Sequence, residues 1–89
     1  MPEQKSRFPS YAGVVLTVTG LSHFVKPELF ESATTPAFPT DTTRYIYING
    51  GIETAIGLAM LSPKTRKLAL GGGLAYGVYL GVNAARNAR

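Results

Sequence analysis

The sequence predicts an all-α protein, a bundle of three transmembrane helices packed through small residues, and three observations carry that reading. First, two eighteen-residue runs, Phe8–Val25 and Leu68–Ala85, contain no Asp, Glu, Lys or Arg, and a third, Tyr45–Ser62, is interrupted only by Glu53. Each run meets the short end, about 17 residues, of what a bilayer's hydrocarbon core requires. Second, a soluble three-helix bundle needs a polar, usually charged, stripe on every helix. These runs offer Thr, Ser, Gly and Tyr instead. Third, small residues recur at every fourth position of the C-terminal run: Ala69, Gly73, Gly77, Gly81 and Ala85. Glycine costs a water-exposed helix roughly 1 kcal/mol against Ala. In lipid the unbonded peptide group finds no water, so the helix is enforced and glycine lets a second backbone approach.

Taken in order, the first helix is expected at about 9–26, with Pro9 in its first turn, where a missing N–H costs nothing. Gly13, Thr17 and Gly20 offer it small or hydroxylated contacts, and Pro27 ends it. Lys5 and Arg7 before an apolar run resemble a signal peptide, but no small-x-small cleavage site stands at Leu21–Phe24, so an uncleaved helix is expected. A loop over 27–43 follows, with a short interfacial turn around Glu28–Glu31 that dips Leu29 and Phe30 into lipid. Thr40 or Asp41 supplies a cap for the second helix, about 44–62, where Gly51, Ala55 and Ala59 repeat the four-residue spacing. The basic turn Ser62–Lys67 is short enough to make the second and third helices antiparallel neighbours, the third running about 65–86. The whole is one membrane domain, residues 1–89.

Composition excludes several functions. There is no cysteine, which removes disulfides, thiolate catalysis, Fe–S clusters and thiolate zinc sites, and one histidine cannot build a metal site alone. Nine Lys and Arg against five Asp and Glu give a net charge of +4, but the basic residues flank the apolar runs and form no continuous stripe for nucleic acid. Gly71-Gly72-Gly73 has neither the GxxxxGK[ST] nor the GxGxxG context of a phosphate loop. No enzyme, metal or cofactor is therefore expected. The partners expected are the bilayer and other transmembrane helices, of this chain or of another subunit. Five basic residues on the N-terminal side against four on the other place the N-terminus in the cytoplasm by the positive-inside rule.

Two residues are candidates for ligand or proton chemistry. Glu53 lies near the middle of the second helix, where an ionised carboxylate costs several kcal/mol unless paired or protonated. His23 lies near the C-terminal end of the first helix, with Thr19 one turn back, and a contact with Glu53 would neutralise both groups. By helix counting Glu53 sits several residues deeper than His23. Asn49 and Asn83 are expected to bond between helices, and Tyr76 and Tyr79 lie off the small-residue row.

The order Gly20-x-x-His23-Phe24-x-x-Pro27-x-x-Phe30, Pro36-x-x-Pro39, Gly50-Gly51-x-Glu53-Thr54, Gly57-Leu58 and Ser62-Pro63-x-Thr65-Arg66 resembles small DoxX-like membrane proteins, over residues 12–85. The resemblance implies a helical bundle in a bacterial cytoplasmic membrane, with His23 and Glu53 as positions of interest. Such proteins usually have four spans and this chain has three, so the resemblance implies an oligomer or an accessory subunit of a larger membrane complex, respiratory or redox. The alternative is a membrane module that transfers a proton, or binds a quinone or other small apolar ligand, through Glu53 and His23.

Overall fold

The structure is a computed structural model that describes residues 7–88, and every regular element among them is helical. Helix α1 spans Phe8–Val25 with Pro9 in its first turn. Lys26 leaves the helical region before Pro27, and the chain enters a 3-10 turn, Pro27–Phe30, that runs into one α-turn, α2, Glu31–Thr34. Two long helices follow, α3 over Thr42–Leu61 and α4 over Arg66–Asn87. At 1.5 Å per residue α1, α3 and α4 are about 27, 30 and 33 Å long, each close to the ~30 Å hydrocarbon core of a bilayer.

Helix α3 is central, packing against both α1 and α4. The molecule measures 48 × 27 × 15 Å, so the three long helices form a layer rather than a closed bundle. The α1–α3 seam is antiparallel and made by glycine. A Cβ added to Gly13 would lie 2.8 Å from the Gly57 carbonyl oxygen, and one on Gly57 would lie 2.8 Å from that of Gly13. Seven residues along each helix the arrangement repeats, with Gly20 facing the Gly50 carbonyl at 2.7 Å and Gly50 facing that of Gly20 at 2.8 Å. Thr17 and Thr54 donate back to the Gly13 and Gly50 carbonyls, each at 2.7 Å, so both hydroxyls are satisfied inside their own helices.

Two helices, α1 and α4, are long and apolar enough to cross a membrane; the sequence led us to expect three. The difference lies in α3, which carries Arg44, Asn49, Glu53 and Thr54 among its twenty residues. The molecule is apolar outside and partly polar inside. Among the described residues eighteen large apolar side chains are exposed, including Val14, Val18, Leu68, Leu70, Leu74 and Val78, whereas the buried apolar set is Ala37, Phe38, Ile46 and Ala69. His23, Thr34 and Asn49 are buried with them.

Two local expectations are corrected, and one side chain does more than the sequence indicated. Asp41 stands at the N-cap of α3 but makes no side-chain cap bond; its backbone is left-handed, φ 54°, and Thr42 instead donates its hydroxyl to the Phe38 carbonyl at 2.6 Å. Phe30 turns inward rather than into lipid, because the 3-10 turn after Pro27 folds the chain back over the end of α1. Arg66, in the basic turn, donates from Nε to the Met60 carbonyl at 2.8 Å and from Nη2 to Ser10 Oγ at 3.2 Å. It thereby satisfies a carbonyl at the end of α3 that the helix leaves unbonded, and ties that end to α1.

Candidate functional site

The site forms where the Gly20–Gly50 crossing brings α1 and α3 within backbone contact. Gly50 has no side chain because the imidazole of His23 occupies that space: a Cβ there would lie 2.9 Å from His23 Cγ. Helical side chains lean toward their own N-terminus. On antiparallel helices, His23 and Glu53 therefore lean toward each other, which closes the difference in depth that residue counting gives them. His23 Nε2 lies 3.8 Å from Glu53 Oε2, with the two side chains 5% and 14% exposed.

The tautomer of His23 follows from its other nitrogen. Nδ1 is 2.7 Å from the Thr19 carbonyl oxygen, which only accepts, so Nδ1 carries a hydrogen and Nε2 is the nitrogen turned toward Glu53. The Phe30 ring stacks on the imidazole at 3.7 Å between centroids and 16° between planes, sealing it from one side. From the other helix, the Tyr76 hydroxyl donates to Glu53 Oε2. One turn along, Tyr79 donates to Asn49 Oδ1 at 3.0 Å. These two tyrosines link α4 to α3 at the level of the site, beside the Arg66 bond to the Met60 carbonyl at the far end, and Glu53, which Tyr76 reaches, is also the α3 side chain beside His23 of α1.

A cavity of about 280 Å³ opens beside the cluster. His23, Glu53, Asn49 and Tyr76 border it on one side and Phe30 and Phe38 provide aromatic wall. Phe38 is held by stacking on Tyr45 at 4.5 Å and by a tilted contact with Tyr79 at 5.4 Å. Asn87, at the end of α4, donates to the Ala37 carbonyl at 2.8 Å and so ties α4 to the segment that carries Phe38. Among the described residues no group of three His, Cys, Asp or Glu is placed to hold a metal ion.

The structure thus brings together the two candidates for ligand or proton chemistry, His23 and Glu53, and adds Tyr76, Phe30 and Asn49. The sequence offered no signal for Phe30. Tyr76 had one: with Ala69, Gly72, Tyr79 and Asn83 it forms an alternating three- and four-residue spacing along α4, the period of a helix packed antiparallel on a neighbour. Asn83 does not bond between helices; its Nδ2 donates to the Tyr79 carbonyl of its own helix at 2.8 Å.

The small-residue row is placed differently from the seam. Ala69 is buried, but a Cβ on Gly73, Gly77 or Gly81 would meet nothing within 4 Å, and Ala85 is exposed. A strict four-residue repeat advances about 40° around the helix at each step. A row that begins against α3 at Ala69 has therefore turned out of the layer by Gly81. On α3, likewise, Gly51 has Phe24 as a distant neighbour at 3.9 Å, Ala55 is exposed and Ala59 half-buried, whereas Gly50 and Gly57, one and two residues away, make the crossing.

A family described as a domain of unknown function, DUF8561, matches residues 12–88, which includes every residue of the site and both glycine crossings. The chain belongs to that family. Within the DUF8561 match, α1 lacks only its first turn. No curated protein and no solved structure matches the chain.

Proposed function

We propose that this DUF8561 protein is an integral membrane protein of three spans whose Glu53–His23 pair, completed by Tyr76, binds a small, largely apolar ligand and holds one exchangeable proton. The observation that carries the reading is the buried pair itself, set beside an aromatic-walled cavity in a molecule whose outer surface is apolar. Ionisable groups placed among apolar spans are expensive, and they concentrate where ligands or protons pass. Helix α3 is too polar to count as a span by composition, yet its mid-helix polar residues Asn49, Glu53 and Thr54 face α1, α4 and the cavity, Thr43 and Arg44 are exposed in its first turn, and Tyr47, Ile48, Leu58 and Leu61 face outward. It crosses with its neighbours. The resemblance to DoxX-like proteins, which rests on the residues quoted for it, would set the protein in a bacterial cytoplasmic membrane with a cytoplasmic N-terminus.

Two experiments test this. Carbonate-washed membranes should retain the protein, and release into the supernatant would refute three spans. An aliphatic diazirine photolysed in vesicles should label Phe30, Ala33 or Leu80 in the wild type and lose that labelling in Ala33→Trp, which fills the cavity. Labelling confined to outward residues such as Val14, Leu70 and Leu74 would refute the ligand site.

One observation favours a second role alongside the first. The outer face of α4, with Gly73, Gly77 and Gly81, meets nothing in this chain, and such a face admits the close approach of another helix. We infer an oligomer or accessory subunit assembled through α4. Gly77→Leu disturbs no contact within the chain, so a loss of oligomer mass in mild detergent is expected, and unchanged mass would refute assembly through that face.

A further inference from the structure

Besides the hydroxyls of Thr19 and Thr34, which can rotate to act as donor or acceptor, three buried or half-buried polar groups border the cavity without a hydrogen-bond partner among the described residues. They are His23 Nε2, Glu53 Oε1 and the amide nitrogen of Asn49. His23 and Asn49 are each only 4% exposed. The 3.8 Å between Nε2 and Oε2 is beyond hydrogen-bond reach, so the pair does not satisfy itself. A buried polar group left this way costs about 1–3 kcal/mol, and native structures rarely leave three around one space.

The chemistry of the missing occupant follows from counting hydrogens. In lipid the pair must be neutral overall, which leaves it one proton beyond the Nδ1 hydrogen, held either by the carboxyl or by Nε2. In both forms one member donates and the other accepts. The Asn49 amide adds a second donor. The space therefore presents one acceptor and two donors, whichever way the proton sits. A hydroxyl group offers one hydrogen and two lone pairs and matches that set. A ketone leaves the acceptor unfilled, and an ammonium has no lone pair to meet the donors. A carboxylate would bring an uncompensated charge.

Water carries the same oxygen, but one molecule takes about 30 Å³ of liquid volume, against about 280 Å³ here, and apart from Thr19 and Thr34 the remaining wall is apolar and aromatic. Phe30 and Phe38 favour a planar ring, which gains from stacked or edge contacts as well as from burial.

We propose that the cavity binds a neutral phenol-class lipophile through its single hydroxyl group, which donates to one member of the His23–Glu53 pair and accepts from the other and from Asn49. The hydroxyl also completes a path by which the shared proton moves between Glu53 and His23: the oxygen takes the proton from one as it gives its own to the other. The pair's total charge stays zero while it passes between two neutral groups and an ion pair. This inference rests on the ligand-site reading above and names what that site recognises.

The test uses the single histidine of the chain. Protein labelled with 15N-histidine and reconstituted in lipid nanodiscs, free of any histidine tag, reports His23 alone. Titration with 4-butylphenol should give a saturable shift of the Nε2 resonance. 4-Butylanisole, its methyl ether, has the same ring and chain without the hydrogen, and should need about tenfold more for half-saturation of the Phe30 ring resonances. Glu53→Leu, which removes one side of the bridge but leaves His23 Nε2 to accept from the phenol, should narrow the difference between the two compounds, and an undiminished difference would mean that Glu53 takes no part in recognition. Equal affinity for both compounds in the wild type overturns hydroxyl recognition while leaving a lipophile cavity in place. No saturable response to either compound overturns the cavity as a ligand site.

Discussion

Adding one methyl group at Gly57 tests whether the α1–α3 seam is set by backbone contact. In Gly57→Ala the new Cβ would stand 2.8 Å from the Gly13 carbonyl oxygen and 2.5 Å from the Thr17 backbone nitrogen, where ordinary contact begins near 3.4 Å. Neither neighbour can rotate away, because both are main chain. The helices must part by about 0.6–0.9 Å, and gaps of that size forfeit a quarter to a half of the local dispersion energy along the seam. Overpacking of this kind costs typically 1–3 kcal/mol. Alanine's higher helix propensity returns up to about 1 kcal/mol, so Gly57→Ala should destabilise by about 1–2 kcal/mol net. Gly77→Ala is the matched control, since the same methyl group there meets nothing within 4 Å. It should be neutral or stabilising by a few tenths of a kcal/mol. Unfolding by SDS in mixed micelles, followed by far-UV circular dichroism at dilutions where the protein is monomeric, gives both numbers. A Gly57→Ala variant as stable as the wild type, or equal losses at the two positions, would refute a seam governed by glycine.

The remaining predictions concern groups that hold the site. Tyr76→Phe removes the donor to Glu53 Oε2 and should cost about 1–3 kcal/mol; Tyr79→Phe, which loses the bond to Asn49, should cost about 0.6 kcal/mol. A double-mutant cycle of Tyr76→Phe with Glu53→Gln should show coupling above about 0.5 kcal/mol, and additivity would mean the two side chains act separately. At Asp41, with φ of 54°, Gly should be tolerated or mildly stabilising, whereas Val should cost about 1–2 kcal/mol; thermal unfolding in detergent ranks them. Arg66→Lys keeps the charge but loses the planar fork that reaches Met60 and Ser10 together, so amide exchange should quicken at the end of α3 while protection at the Gly20–Gly50 crossing stays unchanged.

What could be read from the sequence followed the physics of single helices. Charge-free runs, Pro9, Pro27 and the short turn before Arg66 locate the long elements, because each acts within one helix or one turn. Helix partners were harder to read, since partner choice depends on azimuth. The four-residue row on α4 is prominent in the sequence yet drifts out of the layer. The seam instead uses two quieter pairs seven residues apart, Gly13 with Gly20 and Gly50 with Gly57, which stay on one face because seven residues come within about 20° of two full turns. In the site, Glu53 and His23 stood out as lone ionisable groups in apolar runs. Phe30 did not, since only the fold of the 27–34 segment over α1 brings its ring to the imidazole. The spacing along α4 puts Tyr76 on a packed face, but only the fold sets Glu53 opposite its hydroxyl.

The helix that least resembles a span is the one that carries the site, and the layered arrangement explains why. A central helix has two covered flanks. On one, α3 sets Gly50 and Gly57 against α1 backbone; on the other, Asn49 and Glu53 meet the hydroxyls of Tyr79 and Tyr76. Beyond its first turn, where Thr43 and Arg44 are exposed, its exposed strip is Tyr47, Ile48, Ala55, Leu58 and Leu61, as apolar as the outer faces of α1 and α4. On the three-span reading proposed above, averaging hydropathy around such a helix mixes a lipid-facing surface with two protein-facing ones, and the polar residues lower the mean. Polar residues are tolerated there only because neighbours supply the partners that lipid would not. The shortfall in hydropathy and the presence of a site thus have one cause. Where a chain of this kind places a run too polar to be an obvious span between two apolar ones, the polar positions of that middle run mark the surfaces its neighbours cover. Asn49 and Glu53, which those neighbours satisfy only in part, are also the polar residues of α3 that reach the cavity.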